Sequence, residues 1–415
     1  MAGMGTKTQT TKNLIIKAAF SFYSEPCYKD FSLNEIAARV GISKPAIYRH
    51  FENKDAILKE MEKTFLDLLA NHLRAVHEFE RQGGAAAISK TNIPFARTIQ
   101  FFADNPQYIN YFLTQFSTQL DYEEFLATEL EKRGINKDFS GVYFWKDGAP
   151  RFAFSESFYS GTSLLFFIKI REKVCSQMHI QPSSDFAQKL ITFIEGGLQG
   201  CSREGDLIFP QTISDERKAF LKSHCKINKD DLPKEDKIFS ALAAVIKKYK
   251  MSGVTIERIA DELHMAKSSL YFYFDNKNEM MKKLILRELS FMSEVCRENA
   301  VEAANYSEHI YISMRSEMEY LLLRPSILPI CGWLMQNSTN NPFGEETEIN
   351  NVWEKRMTRP LQNIDLGFPV MPEILTFWTG LIPVTMISIG EKHHLGAEEM
   401  LSALDAMFEF IQYGL

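Results

Sequence analysis

Residues 31–54 read FSLNEIAARVGISKPAIYRHFENK, and residues 254–277 read VTIERIADELHMAKSSLYFYFDNK. The two stretches align without a gap at an offset of 223. Seven of 24 positions are identical: Ile36/Ile259, Ala37/Ala260, Lys44/Lys267, Tyr48/Tyr271, Phe51/Phe274, Asn53/Asn276 and Lys54/Lys277. In the first copy Ser32 and Glu35 have the spacing of a capping box that opens a helix. Leu33, Ile36, Ala37 and Val40 give that helix one apolar face. Gly41 suits the left-handed residue that ends it. Ser43 stands where it caps a second helix, with Pro45 tolerated in the first turn. Ile47 and Phe51 face inward, and Ala37 is small because the two helices cross closely there. A short helix, a tight turn and a second helix form the geometry that lays one helix in a DNA major groove.

The repeat reaches beyond these motifs. Upstream, Ile15 pairs with Ile238 and Ala18 with Ala241. Near the end of each half, Phe158-Tyr159-Ser160-Gly161 resembles Phe377-Trp378-Thr379-Gly380, and Ile168 to Lys173 matches Ile387 to Lys392, both at an offset of 219. Phe193-Ile194 with Gly197-Leu198 matches Phe410-Ile411 with Gly414-Leu415 at an offset of 217. Ordered matches with slowly drifting offsets indicate two homologous units in tandem. The expected division of the 415 residues is a helix-turn-helix module at 1–60, a helical bundle at 61–204 and a polar linker at 205–232. A second module at 233–287 and a second bundle at 288–415 complete it. The apolar periodicity is helical throughout, so the expected class is all-α. The one exception is Tyr143 to Phe154, which reads as a hairpin turning at Lys146-Asp147-Gly148.

Composition bounds the function. The chain is 45% hydrophobic and 24% charged, ordinary for a globular protein. No apolar run is long enough for a membrane span, and the polar N-terminus lacks a signal core, which points to the cytoplasm. Six scattered cysteines without a C-x-x-C argue against a disulfide framework or zinc ribbon. The pair His393-His394 has no spaced carboxylate or cysteine partners, so no metal and no cofactor is expected. Nucleophile-elbow, phosphate-loop and metalloprotease motifs are all missing, so an enzyme is not expected. The net charge of −6 speaks against a nucleic-acid partner until it is divided. Residues 1–60 hold nine basic and six acidic residues, and residues 233–287 hold eleven and seven. Two basic heads of +3 and +4 thus sit on a body of −13.

These residues resemble the TetR family of transcriptional regulators. Its pattern is matched in register by Ser32, Ile36, Ala37, Gly41, Ile42, Ser43, Tyr48, Phe51 and Lys54, and by Thr255, Ile259, Ala260, Tyr271, Phe274 and Lys277. The second copy departs at His264, where glycine is expected, and at Ala266, where the capping serine is expected. Histidine tolerates positive φ better than most residues, so the turn can survive. A lost serine cap costs about 1 kcal/mol. The resemblance implies an all-helical protein whose N-terminal helices bind DNA and whose bundles bind a small effector and dimerise through their last two helices.

Residue roles follow on that footing. Tyr48, Lys54, Tyr271 and Lys277 are candidates for phosphate, as are Ser32 and Thr255 at a helix start, where the dipole also favours an anion. Lys44, Ala46 and Arg49 are candidates for base edges in the first copy, with Ser43 and His50 on the same surface; Arg suits guanine. The second copy offers Lys267, Ser269 and Phe272, so the half-sites should differ. The segment from Phe95 to Phe167 holds 19 aromatics among 73 residues. Phe101, Phe102, Tyr108, Tyr111, Phe112 and Phe116 are its pocket candidates, although a phenylalanine-rich core would look the same. By resemblance, Phe158, Gly161, Ile168, Phe193 and Ile194 lie on dimer-type helices of the first half, with Phe377, Gly380, Ile387, Phe410 and Ile411 on those of the second. If these pack on each other within one chain, one polypeptide imitates a dimer. It would then place two recognition helices about 34–36 Å apart on an imperfect palindrome. The rival expectations are a homodimer in which the first module alone reads DNA, and a ligand- or partner-binding protein that has lost DNA.

Overall fold

A computed structural model describes residues 2–24, 31–81, 93–115, 122–135, 151–181, 183–200, 213–249, 253–272, 274–331, 364–370, 372–392 and 394–414. Among the described residues every regular element is helical. No helix among them is long and apolar enough to cross a membrane. The chain divides into two compact units. The first comprises Met1–Lys146, Ser160–Glu195 and Leu366–Pro369, and the second Asp147–Tyr159, Gly196–Asp365 and Val370–Leu415.

The first unit opens with α1 (Ala2–Ser21), α2 (Leu33–Val40) and α3 (Lys44–Tyr48). A long α4 (Lys54–Arg81) leads to α5 (Ile93–Asp104), α6 (Pro106–Gln115) and α7 (Tyr122–Lys132). The head is built around Ile15, Ala19, Ile36, Ala37, Ile47 and Phe51, all buried at the spacings the sequence prescribes. Rings then join head to body. Phe20 lies edge-on to Tyr108 at 5.0 Å and to Tyr111 at 5.1 Å, and Tyr23 meets Tyr111 at 5.2 Å. Burial pushes the Tyr111 phenol well above its ordinary pKa, which keeps it neutral.

Two further helices, α8 (Arg151–Met178) and α9 (Phe186–Gly200), carry the first half's dimer-type residues. The start of α8 at Arg151 corrects the hairpin reading, because Phe152 to Phe154 are helical. The remainder of that stretch, Tyr143 to Pro150, lies outside the described residues. Phe152 and Phe154 alternate as in a strand over three residues, whereas the longer run that follows continues at helical period. Ile168, Phe193 and Ile194 are buried. Gly161 has open space around it.

In the second unit α10 (Asp215–His224) is followed by α11 (Lys237–Tyr249), α12 (Ile256–Glu262) and α13 (Lys267–Tyr271). Next come α14 (Lys277–Ala300), α15 (Tyr306–Leu323), α16 (Pro372–Lys392) and α17 (Ala397–Tyr413). Helix α15 is central, packing on α14, α16 and α17. Pro383 lies inside α16, which continues through it, and Pro372 opens the same helix. Helix α10 falls within the stretch read as linker. Its Arg217 bonds Glu308 at 3.0 Å, Lys222 bonds Asp405 at 2.6 Å, and Lys218 pairs with Glu409.

The second unit also takes in two residues of the first repeat that meet their own counterparts. Tyr159 lies 6.4 Å, centroid to centroid, from Trp378, its equivalent at an offset of 219, and stacks at 6.0 Å on Phe410. Gly197 meets the backbone of Gln412 and Gly414, and Gly414 is its equivalent at an offset of 217. Ile387, Phe410, Ile411 and Gly380 are buried as well.

Candidate nucleic-acid interface

Both modules are built by the same local chemistry. Ser32 Oγ accepts from the Glu35 amide at 3.3 Å, and Glu35 Oε2 accepts from the Ser32 amide at 2.7 Å, closing the capping box. In the second copy Thr255 Oγ1 accepts from the Arg258 amide at 3.2 Å. Gly41 ends α2 at φ 74°. His264 takes the same left-handed turn at φ 53°. The hydrogen bonds around the two turns coincide: Ile42 N to Ala37 O at 3.0 Å, and Met265 N to Ala260 O at 2.9 Å. The turn therefore survives the loss of glycine. His179 and His394, at φ 54° and 57°, end α8 and α16 in the same manner.

One expectation fails in detail. Ser43 occupies the N-cap position of α3, but its side chain makes no capping hydrogen bond. The carbonyl of Ser43 serves the helix instead, accepting from Ala46 N at 2.9 Å. Ala266 stands at the equivalent place with the same extended backbone. Its lack of a hydroxyl removes no bond that the first copy has, so the expected cap penalty does not arise within the fold. What the second module lacks is an exposed hydroxyl facing solvent.

The phosphate candidates gather beside the start of α2 and of α12. Lys54 lies 4.9 Å over the Phe31 ring, next to Ser32. Lys277, its equivalent, donates to the Val254 carbonyl at 3.1 Å, next to Thr255. Each lysine is thus folded back onto the residue before a helix cap. In the second module Thr255, Tyr271 and Lys277 line one open cleft of about 350 Å³, together with Glu257, Asp275 and Asn276. Tyr48 and Tyr271 are 50% and 47% exposed, so neither is a core tyrosine. A phenol, a hydroxyl and an ammonium beside a helix start are donors suited to an oxyanion, and in the second module they share the cleft with the carboxylates of Glu257 and Asp275.

The base-edge candidates sit on α3 and α13, each of five residues. Lys44 and Arg49 are exposed, while Ala46 and His50 are partly covered. In the second copy Lys267 bonds Glu257, a contact between adjacent helices that residue types alone did not reveal. That bond holds the Glu257 carboxyl below its ordinary pKa and the Lys267 ammonium above its own. The first copy has Asn34 where the second has Glu257, so Lys44 faces no such acid. Ser269 is partly covered, and Phe272 is 85% exposed.

The remaining candidates lie in the bodies. Phe101, Phe102, Tyr108, Tyr111 and Phe112 pack against one another and against Phe65, with Phe101 stacked on Tyr108 at 5.8 Å. Phe116 lies outside the described residues, as does the Phe158 side chain. Phe377 is partly exposed on α16. Among the described residues no three His, Cys, Asp or Glu side chains gather as a metal site would require.

Residues 15–61 and 238–284 each match the family model of bacterial regulatory proteins, tetR family. The two matches are offset by 223, as the motifs are, and they span α1 to α4 in one half and α11 to α14 in the other. No curated protein matches the chain.

Proposed function

We propose that the chain, which carries two matches to the TetR-family model in tandem, is a DNA-binding transcriptional regulator that acts as a covalent pseudo-dimer. In this reading one polypeptide supplies both recognition helices to an imperfectly palindromic operator. The observation that carries it is Tyr159 against Trp378 and Gly197 against Gly414. Equivalent residues touch each other only at the axis of an isologous interface. Contacts of this kind are therefore what a homodimer folded into one chain would display. The residues for phosphate are Ser32, Tyr48 and Lys54 in one module and Thr255, Tyr271 and Lys277 in the other. Lys44 and Arg49 address base edges in the first half-site.

Effector-controlled repression is the regulatory half of the proposal. Its support is that both heads are tied to their bodies by short-range packing. The first is held by the Phe20–Tyr108–Tyr111 rings. In the second, Arg324 bonds the Pro233 carbonyl and Ser326 bonds Glu235. A shift in either body would move its head. The Lys267–Glu257 pair favours a second reading, in which the first module alone binds DNA and the chain homodimerises.

Light scattering of the free chain and of its complex separates the two readings. The pseudo-dimer gives 47.7 kDa free and one chain per operator. Two chains per operator, with Lys277→Ala silent, would sink the proposal.

A further inference from the structure

Among the described residues Phe272 is the most exposed of the large apolar side chains, at 85%. It follows Tyr271 directly and closes α13 at φ −69°, ψ −28°. At the offset of 223 its counterpart is Arg49, which closes α3 at φ −73°, ψ −18°. The two backbones match, so both side chains leave the end of a recognition helix in the same direction. One is a fork of donors suited to guanine; the other is an apolar ring with nothing to donate.

The neighbours of Phe272 sharpen the contrast. Lys267 is engaged by Glu257 and Ser269 is partly covered, while the Phe272 ring is 85% exposed. Thr255, Tyr271 and Lys277, the phosphate candidates, still line one cleft beside it, together with Glu257, Asp275 and Asn276. A module that keeps its backbone anchors while offering a ring to the groove is still placed to read DNA. The apolar feature unique to one base in the major groove is the thymine 5-methyl group.

We propose that Phe272 reads the 5-methyl group of a thymine in the second half-site, at the place where Arg49 reads its base in the first. This rests on the pseudo-dimer reading above and names the base chemistry of its weaker half. The operator is then asymmetric in kind: one half-site is specified by hydrogen bonds, the other by a methyl contact.

The test begins with sequences selected from random DNA by the full-length chain. Each thymine of the second half-site is then replaced by deoxyuridine, which removes the methyl group and nothing else. One replacement should weaken binding about four-fold, the worth of one buried methyl group. Phe272→Ala should bind the thymine and deoxyuridine operators equally, with an unchanged thermal midpoint because the ring is exposed. Phe272→Arg should select guanine at that position. Indifference of the unaltered chain to every deoxyuridine, or sensitivity that persists in Phe272→Ala, would overturn the inference while leaving the regulator intact. Failure to select any sequence would instead overturn the DNA-binding reading and this inference with it.

Discussion

Gly197 and Gly414 meet backbone to backbone: a Cβ on Gly197 would lie 2.5 Å from the amide nitrogen of Gly414 and 2.6 Å from the carbonyl of Gln412. Both glycines adopt positive φ, 60° and 76°, with ψ of −159° and −165°. That region is open essentially to glycine alone. Gly197→Ala therefore adds a steric clash to backbone strain and should cost about 3 kcal/mol or more. Gly196→Ala is the control, because a Cβ there meets nothing within 4 Å. It should change stability by less than about 1 kcal/mol. Denaturant unfolding of the two variants measures the difference.

Lys54 and Lys277 are held beside the starts of α2 and α12, where the proposed function has them bind phosphate. Lys54→Ala and Lys277→Ala should each lower the slope of log affinity against log salt by about one. Each should weaken binding to all sequences alike. A plot of affinity at several salt concentrations checks this, and a slope unchanged in Lys277→Ala would mark the second module as idle.

His264 bears a left-handed conformation that glycine holds without a Cβ penalty. His264→Gly should raise the stability of the second module by about 1 kcal/mol, and His264→Val should lower it by at least as much. The readout is the unfolding midpoint at constant denaturant slope.

Asp236 ties the start of the second head to its last helix through Arg287. Partial burial pushes its carboxyl up, but the Arg287 guanidinium and the amides of Phe239 and Ile238 together hold it below the ordinary carboxylate value. A depressed folded pKa gives stability that is full above the unfolded value, about 3.9, and is lost as pH falls through the folded one. Asp236→Asn keeps an acceptor for the two amides and loses the charge. It should cost stability at pH 7 and show a shallower decline below pH 4 than the unaltered chain. Midpoints measured from pH 7 to pH 3 decide it.

Local chemistry was legible in the sequence, and contacts between elements were not. The Ser32–Glu35 box, the turn at Gly41 and the tolerance of His264 follow from spacing and backbone preference within a few residues. Ser43 misled because an N-cap position licenses a side-chain bond without requiring one. Helix α10 escaped because its stretch is polar. Its support comes from Glu308, Asp405 and Glu409, more than 90 residues away in the chain. Glu257 stood in plain view opposite Asn34, and that charge difference was the signal that could have exposed the bond to Lys267. The body aromatics were visible as composition, but which rings meet depends on how α1 docks against α6.

The contact between Tyr159 and Trp378 has an evolutionary side. In an assembly of two identical chains, any residue at the axis faces its own copy, and every substitution there arrives twice. Selection must then accept ring against identical ring, or nothing. Joining the halves in one reading frame lifts that constraint: a tyrosine can sit against a tryptophan, each adjusted to the other's size. The same freedom lets the two heads drift apart, so that one keeps an arginine where the other has come to present a phenylalanine.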